Sequence, residues 1–258
     1  MKHIVFVSFC VVVLCLTVLV EVVGAYKQGY TYTSYELKNA VILDGKWTNA
    51  TEWGDCYPIN FGTNASFRNK MELIYIEPTD VWEYIIVETW DTTDDAVDYW
   101  QICFDCAFDN ASAPQPDDLM LSITGHTNAA WFVGNGTSWV PTSTPNNVTW
   151  CNAKSTSPTF SAEHWILELR FERLAFGMGA FFGMRVAVYD AHVGGFGLQA
   201  WPPTSTDVPN DWGLIEPEGV LIPEGLSFAI VAALTSVAVV AGLIYLRKRS
   251  RTAKLANE

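Results

Sequence analysis

The chain has 258 residues, a formal net charge of −13 and 11 tryptophans. All but three of its acidic residues and all but six of its basic ones fall between Tyr26 and Leu221. A field of that sign repels nucleic acid and anionic headgroups, which excludes a nucleic-acid-binding role and favours solubility or cation binding.

Met1-Lys2-His3 leads into the uncharged run Ile4–Val20, and Val23-Gly24-Ala25 supplies small residues. That order predicts a secretory signal peptide over residues 1–25, cleaved after Ala25; an uncleaved anchor is the other reading of so long a run. Residues 26–221 then form the displayed domain, and 222–225 a short linker at Pro223-Glu224-Gly225. Leu226–Leu246 carries no charge. At about 1.5 Å per residue it spans roughly 31 Å, the hydrocarbon thickness of a bilayer, and reads as a transmembrane helix. Residues 247–258 open with Arg247-Lys248-Arg249 and are predicted to be a cytoplasmic basic tail. The expected address is therefore the cell membrane, crossed once, with the domain outside.

Two further features agree with that address. Sequons stand at Asn49, Asn64, Asn110, Asn135 and Asn147, all within the displayed domain, which predicts a glycoprotein. Cys56, Cys103, Cys106 and Cys151 remain after the signal peptide is removed. An even number outside the cell predicts two disulfide bonds, of any of three connectivities.

Within the domain, helical periodicity is hard to find. Alternation and turn chemistry predict strands at Lys70–Ile76, Trp82–Trp90, Tyr99–Asp105, Leu119–Ile123, Ala129–Val133, Ser138–Pro141, Val148–Cys151, Trp165–Phe171 and Met184–Tyr189. Glu77-Pro78-Thr79-Asp80, Gly134-Asn135-Gly136 and Thr144-Pro145-Asn146-Asn147 break them. The predicted class is all-β, a single antiparallel β-sandwich with jelly-roll-like connections. In Trp165–Phe171, Trp165, Leu167, Leu169 and Phe171 share one face, with His164, Glu168 and Arg170 on the other.

The order of these segments resembles a family. "ILDGKWTNATEWGD", a strand pair ending at Asp91, "YWQICFD", "GNGTSW", "EHWILELRF", "MRVAVYDAH" and "AWPPTSTDVPNDWGLI" follow one another as in family-nine carbohydrate-binding modules and the related DOMON-like sandwiches. The resemblance runs from about Ala40 to Ile215. It implies a β-sandwich, and a role that in such domains is sugar binding, haem binding or purely structural; fold transfers better than function. It also implies that Asp44-Gly45 ends the first strand, and that Trp47 and Trp53 cap one end of the sandwich as half-buried core residues or stack on sugar. The C-terminal Pro-Glu-Gly, apolar span and basic tail resemble archaeal surface-protein sorting signals, in which the tail is replaced by a lipid; a permanent anchor is the first reading.

A saccharide binder needs exposed aromatic faces with amides or carboxylates around them. Trp90, Trp100, Trp131, Trp139, Trp201 and Trp212 are predicted at strand ends or in loops. Gln199 and Trp201 are predicted on one side of a short strand before Pro202, as an indole-and-amide platform. The expected ligand-binding set is Gln199, Trp201, Trp90, Trp100, Trp139 and Trp212, with a saccharide or surface glycoconjugate as partner. Asp105, Asp109, Asp117 and Asp118 belong to an acidic stretch whose hard oxygens suit calcium, the expected cofactor if any; a solvated loop is the plainer reading. For haem, the candidate ligands are Met71, Met120, Met184, His126 and His192. GxSxG, HExxH, P-loop and dinucleotide signatures are missing. The expectation is a non-catalytic cell-surface domain that binds carbohydrate or another surface partner; the alternatives are a structural domain and a haem-binding electron-transfer domain.

Overall fold

The computed structural model describes residues 29–73 and 81–218. The segments expected as signal peptide, linker, transmembrane span and basic tail, together with Ile74–Ile76, lie outside the described residues. No helix among the described residues is long and apolar enough to cross a membrane.

The described chain is all-β apart from two 3-10 turns. Its strands are β1 (Thr31–Glu36), β2 (Ile59–Phe61), β3 (Ala65–Leu73), β4 (Val81–Thr89), β5 (Tyr99–Asp105), β6 (Leu119–Thr124), β7 (Asn128–Gly134), β8 (Trp139–Thr142), β9 (Val148–Ser155), β10 (His164–Glu172), β11 (Phe182–Asp190), β12 (Gly197–Trp201) and β13 (Gly213–Pro217). One sheet runs β8-β7-β6-β5-β11-β13, with β12 beside the second half of β11; the other runs β3-β4-β10-β9, with β2 against β3. β1 joins them. Residues Thr31–Ser34 pair parallel with β13, and Tyr35–Glu36 pair parallel with β3. All other pairings are antiparallel.

The two sheets enclose a core rich in aromatics. Phe67, Trp100, Phe104, Trp131, Phe171, Phe182 and Trp201 meet Ile85, Val87, Leu167, Leu169 and Val186 there. Strict alternation produces this layer, because successive side chains of a strand point to opposite faces. Leu167, Leu169 and Phe171 enter the core as predicted. The opposite face of β10 differs from a half-solvated face: His164, Ile166 and Glu168 are all buried.

The cover over that face is the segment 37–58. No strand forms around Val41–Asp44, and Trp47 and Trp53 cap no end of the sandwich. Both indoles are buried, with Cys56, against Tyr84, Ile86 and Ile166 on the outer face of the second sheet. The Asp-Gly turn serves that seat. Gly45 has φ +74°, and a side chain there would collide with the backbone of Asn152. Its N–H and that of Asp44 donate to Glu168 Oε2 at 2.9 and 3.0 Å, while Trp53 Nε1 donates to Glu168 Oε1 at 2.9 Å. Two large aromatics occupy a polar, turn-rich stretch because that stretch roofs a sheet.

Candidate functional site

The predicted indole-and-amide platform is not on the surface. Trp201 is 3% exposed, between the sheets, with its ring 4.9 Å from Phe67. Gln199 spends its amide on the β2–β3 turn: Oε1 accepts from the N–H groups of Thr63 and Asn64, and Nε2 donates to Thr63 Oγ1. Trp100 is buried, its Nε1 donating to Thr89 Oγ1. Trp212 is buried and stacks on Trp139. Trp90 is half-buried and stacks on Phe160 at 5.5 Å. Trp139 is also half-buried, packed with Trp212 at the far end of the first sheet's outer face, with Nε1 donating to Asp207 O. Burial of strand-end tryptophans by loops that return over them is what the sequence pattern hides.

The open face is the outer side of the first sheet. Across β6, β5, β11 and β12, the register sets Thr124, Tyr99, Tyr189 and Leu198 in one row. Tyr99 and Tyr189 stack, with centroids 5.2 Å apart and planes at 17°, and both are half-exposed. Leu198 is 54% exposed. The next row holds Ser122 and Gln101. The Gln101 amide donates to Met120 Sδ at 3.0 Å and accepts from Arg185 Nη1. Three strand spacings of about 4.8 Å make this strip about 14 Å across. Burial raises the Tyr99 phenol above its usual pKa, against the pull of Arg185, so it stays a neutral donor and acceptor. Towards the other end of the same face, Cys103, Met120 and Trp212 close over with Phe132 and Trp139 packed against them.

The expected acidic site does assemble in part. Carboxylate oxygens of Asp105, Asp117 and Asp118 lie within 4.8 Å of one another, where the end of β5 meets the loop returning to β6. Asp109 donates its N–H to Asp105 Oδ1 at 3.1 Å, and Asn110 donates its N–H to Asp105 Oδ2 at 2.9 Å. Asp118 Oδ2 accepts from Gln115 N–H at 2.6 Å, while its Oδ1 is buried without a partner, as is Asn110 Oδ1. Burial, then the charges of Asp105, Asp117 and Asp109, lift Asp118 to about 8 against the Gln115 hydrogen bond. Burial raises Asp109 as well. These oxygens fit a hard cation, since calcium gathers six to eight of them at about 2.3–2.6 Å.

A second cluster was not in the expected metal set. Asp91, Asp98 and His126 are all buried and bring one ligand atom each within 4.8 Å of one another. The sequence signal for it was the acidic run after β4, but His126 is 28 residues beyond Asp98 and only the fold places it there.

The remaining expectations fare unevenly. The four cysteines among the described residues are free thiols, against the two disulfides expected. Cys56 packs on the outer face beside β3, while Cys151 is on β9, three strands and about 14 Å away. Cys103 and Cys106 point to opposite sides of the first sheet. Burial pushes Cys56 and Cys103 up to about 12 and Cys106 well above its usual value, so these three remain protonated. The haem candidates do not converge. Met184 is between the sheets, Met120 on the outer face of the first sheet, Met71 on β3 and His192 exposed beside Asp95. Among the sequons, Asn49, Asn135 and Asn147 are exposed, and Asn64 and Asn110 are half-buried.

No protein-family model matches the chain, and no curated protein matches it. Among the solved structures similar to it are two of a family 9 carbohydrate binding module from Caldicellulosiruptor kristjanssonii. The one in complex with glucose is 15% identical, with a TM-score of 0.47 over 73% of this chain and 95% of that one. The other, in complex with cellotriose, is also 15% identical, with a TM-score of 0.45 over 77% of this chain and 97% of that one. The superposition is loose, and the chemistry of this chain is carried by its own residues.

Proposed function

We propose that the domain is a non-catalytic saccharide-binding module, displayed at the cell surface, whose platform is the Tyr99–Tyr189 strip. The carrying observation is that two stacked, half-exposed tyrosines stand on an uncovered sheet face beside Leu198, Ser122 and Gln101. Aromatic and aliphatic surface takes the C–H faces of a sugar ring, and hydroxyls and an amide take its equator. No side chain in that strip is arranged as a nucleophile with an adjacent base, which fits binding rather than turnover.

Calcium is the second element of this reading, held by Asp105, Asp117 and Asp118 with Asp109 beside them. The buried, unpartnered Oδ1 of Asp118 favours it. The ion would neutralise the cluster and tie the 106–118 loop to the end of β5; it supplies structure, and the sugar is not routed through it.

The test is binding of glucose, cellotriose and a broad glycan array to the full chain, followed by the same titration on Tyr189→Ala. Aromatic stacking contributes about 1–3 kcal/mol per ring on nucleobases, which stack better than sugars, so the variant should bind about tenfold more weakly. An empty array, or equal affinity in Tyr189→Ala, overturns the proposal.

A further inference from the structure

His126 sits in a left-handed turn and buries a ring whose two nitrogens find no hydrogen-bond partner among the described residues. Gly125 and His126 form the turn between β6 and β7 with φ of 54° and 60°. The left-handed region is uncommon for a residue with a side chain and is a pointer to function when the surroundings enforce it. Here they do. The imidazole stacks on Trp165 at 3.8 Å and 10°, with the edge of Trp100 at 4.9 Å. The Gly125 N–H donates to Asp98 O at 2.8 Å. The side chain is 3% exposed, yet neither ring nitrogen makes a hydrogen bond among the described residues. Nε2 is 3.4 Å from Asp98 Oδ2.

Of the two carboxylates facing it, Asp91 is fixed through one oxygen and Asp98 through both. Asp91 Oδ1 accepts from Thr93 N–H at 2.7 Å and from Thr93 Oγ1 at 2.5 Å, and Asp91 Oδ2 is buried without a partner. Asp98 Oδ1 accepts from Ala191 N–H at 2.8 Å, leaving Oδ2 beside the ring with one bond from Asp95 N–H at 3.1 Å. Orientation of ligating carboxylates by backbone N–H groups is the outer-shell arrangement that metal sites use. A lone ion pair would leave Nδ1 and Asp91 Oδ2 unexplained, and a buried polar atom without a partner costs about 1–3 kcal/mol.

We propose that Asp91, Asp98 and His126 form a binding site for a borderline divalent transition ion, with zinc as its probe. One imidazole and two carboxylates suit such an ion, whereas calcium takes oxygen alone. Ligand atoms bonded at about 2.0–2.2 Å to a tetrahedral zinc lie roughly 3.3–3.6 Å from each other. His126 Nε2 and Asp98 Oδ2 already stand at that separation, 3.4 Å, and the ligand atoms of all three residues lie within 4.8 Å of one another. Three protein ligands leave a fourth position for water. The site is separate from the tyrosine strip and from the Asp105 cluster, and does not depend on sugar binding.

The experiment uses the full chain stripped with chelator and titrated with zinc, and separately with cobalt as a spectroscopic stand-in. One zinc per chain should bind, and the cobalt form should show visible d–d absorption. Asp91→Asn keeps an acceptor for Thr93 while removing the charge. It and His126→Gln should both lose the cobalt band and weaken zinc by more than the roughly 10–100-fold that losing an outer-shell partner costs. Asp118→Asn should bind zinc as the unaltered chain does. Near-UV circular dichroism checks the fold of each variant; Asp91→Asn carries the test if His126→Gln unfolds. Zinc binding unchanged in Asp91→Asn, binding lost only in Asp118→Asn, or no zinc bound at all (a buried ion pair only) overturns the proposal.

Discussion

The outer faces of the two sheets are built from the same alternating pattern and end in opposite states. On the second sheet, Arg68, Lys70, Glu88 and Glu168 point outward from strands, yet all four are buried. Arg68 reaches Glu88 at 3.3 Å. Lys70 donates to Glu52 O at 2.6 Å and pairs with Asp55. Glu52, itself buried, accepts from the N–H groups of Ile42 and Thr48 and so holds the covering segment in shape. On the first sheet the outward rows carry tyrosines, Leu198, Ser122 and Gln101, and the half nearer Tyr99 has no cover. Charges have been taken out of water where each has a partner, and aromatics have been left in water where none is needed for folding. The difference separates a face that stabilises the domain from one free to meet a ligand, since exposed apolar patches mark interaction surfaces.

The sharpest way to break this contrast is to remove its central roof tile. Trp53→Ala should destabilise by about 3–5 kcal/mol, the range for a buried tryptophan, and should open residues 37–58 to protease. A melt within a degree of the unaltered protein would show that the segment merely rests on the sheet. Next in size is calcium at the rim of the open sheet. If the ion binds only the folded chain, stability rises by about 2.7 kcal/mol at a hundredfold excess over Kd, which is about 5–11 °C for a domain of this size.

The pH dependence carries a definite sign. Asp118 titrates at about 8 when folded and at about 4 when unfolded, so the folded chain keeps a proton that the unfolded chain has released. Without cation, stability should therefore fall as pH rises from about 4 to 8, and calcium should flatten that slope. A chelated protein whose melting temperature climbs over that window refutes the assignment. Glu168, raised to about 7 by burial, adds to the same downward slope up to that pH.

Glu168→Gln probes the roof more gently. The carboxylate accepts three N–H donors, and an amide would turn its own N–H towards one of them. A loss of about 1–3 kcal/mol is expected, read by urea denaturation; no loss would make those three bonds incidental. The smallest stability effect belongs to the open face. Tyr189→Ala removes one cross-strand pair worth about 0.2–1 kcal/mol, so its melt should stay close to the unaltered one while ligand affinity falls. A large drop in melting temperature would move Tyr189 into the structural class and dissolve the contrast.

The strands with apolar alternation were legible. Tyr99–Asp105 is read to the residue, and β4, β6, β10 and β11 to within two. β1 escaped because its inward positions are Tyr32 and Ser34, and Ser34 donates to Glu83 and Asn69 in a polar part of the core; no hydrophobic period marks such a strand. The parallel pairings of β1 are equally silent in sequence, since register with β13 and β3 is set by chain ends about 35 and 180 residues away. Asp105, Asp117 and Asp118 were found because the loop is short and the residue type specific. Tyr99 and Tyr189 were missed because 90 residues separate them and tryptophan looked the better stacker. Trp201 misled for a local reason: a strand followed by Pro202 reads as a rim, but β12 leans against β2 and turns that indole inward.

The direction of β13 sets the two ends of the domain apart. Gly213, Leu214 and Ile215 pair with Met184, Gly183 and Phe182 in turn, so the chain runs out past the start of β11, on the side where β5 ends at Asp105. Tyr99 and Tyr189 stand at the far ends of those same strands. The described chain therefore ends at the same end of the domain as Asp105. The tyrosine strip and the Asp91–Asp98–His126 cluster lie at the opposite end, about 20 Å away at roughly 3.4 Å per strand residue.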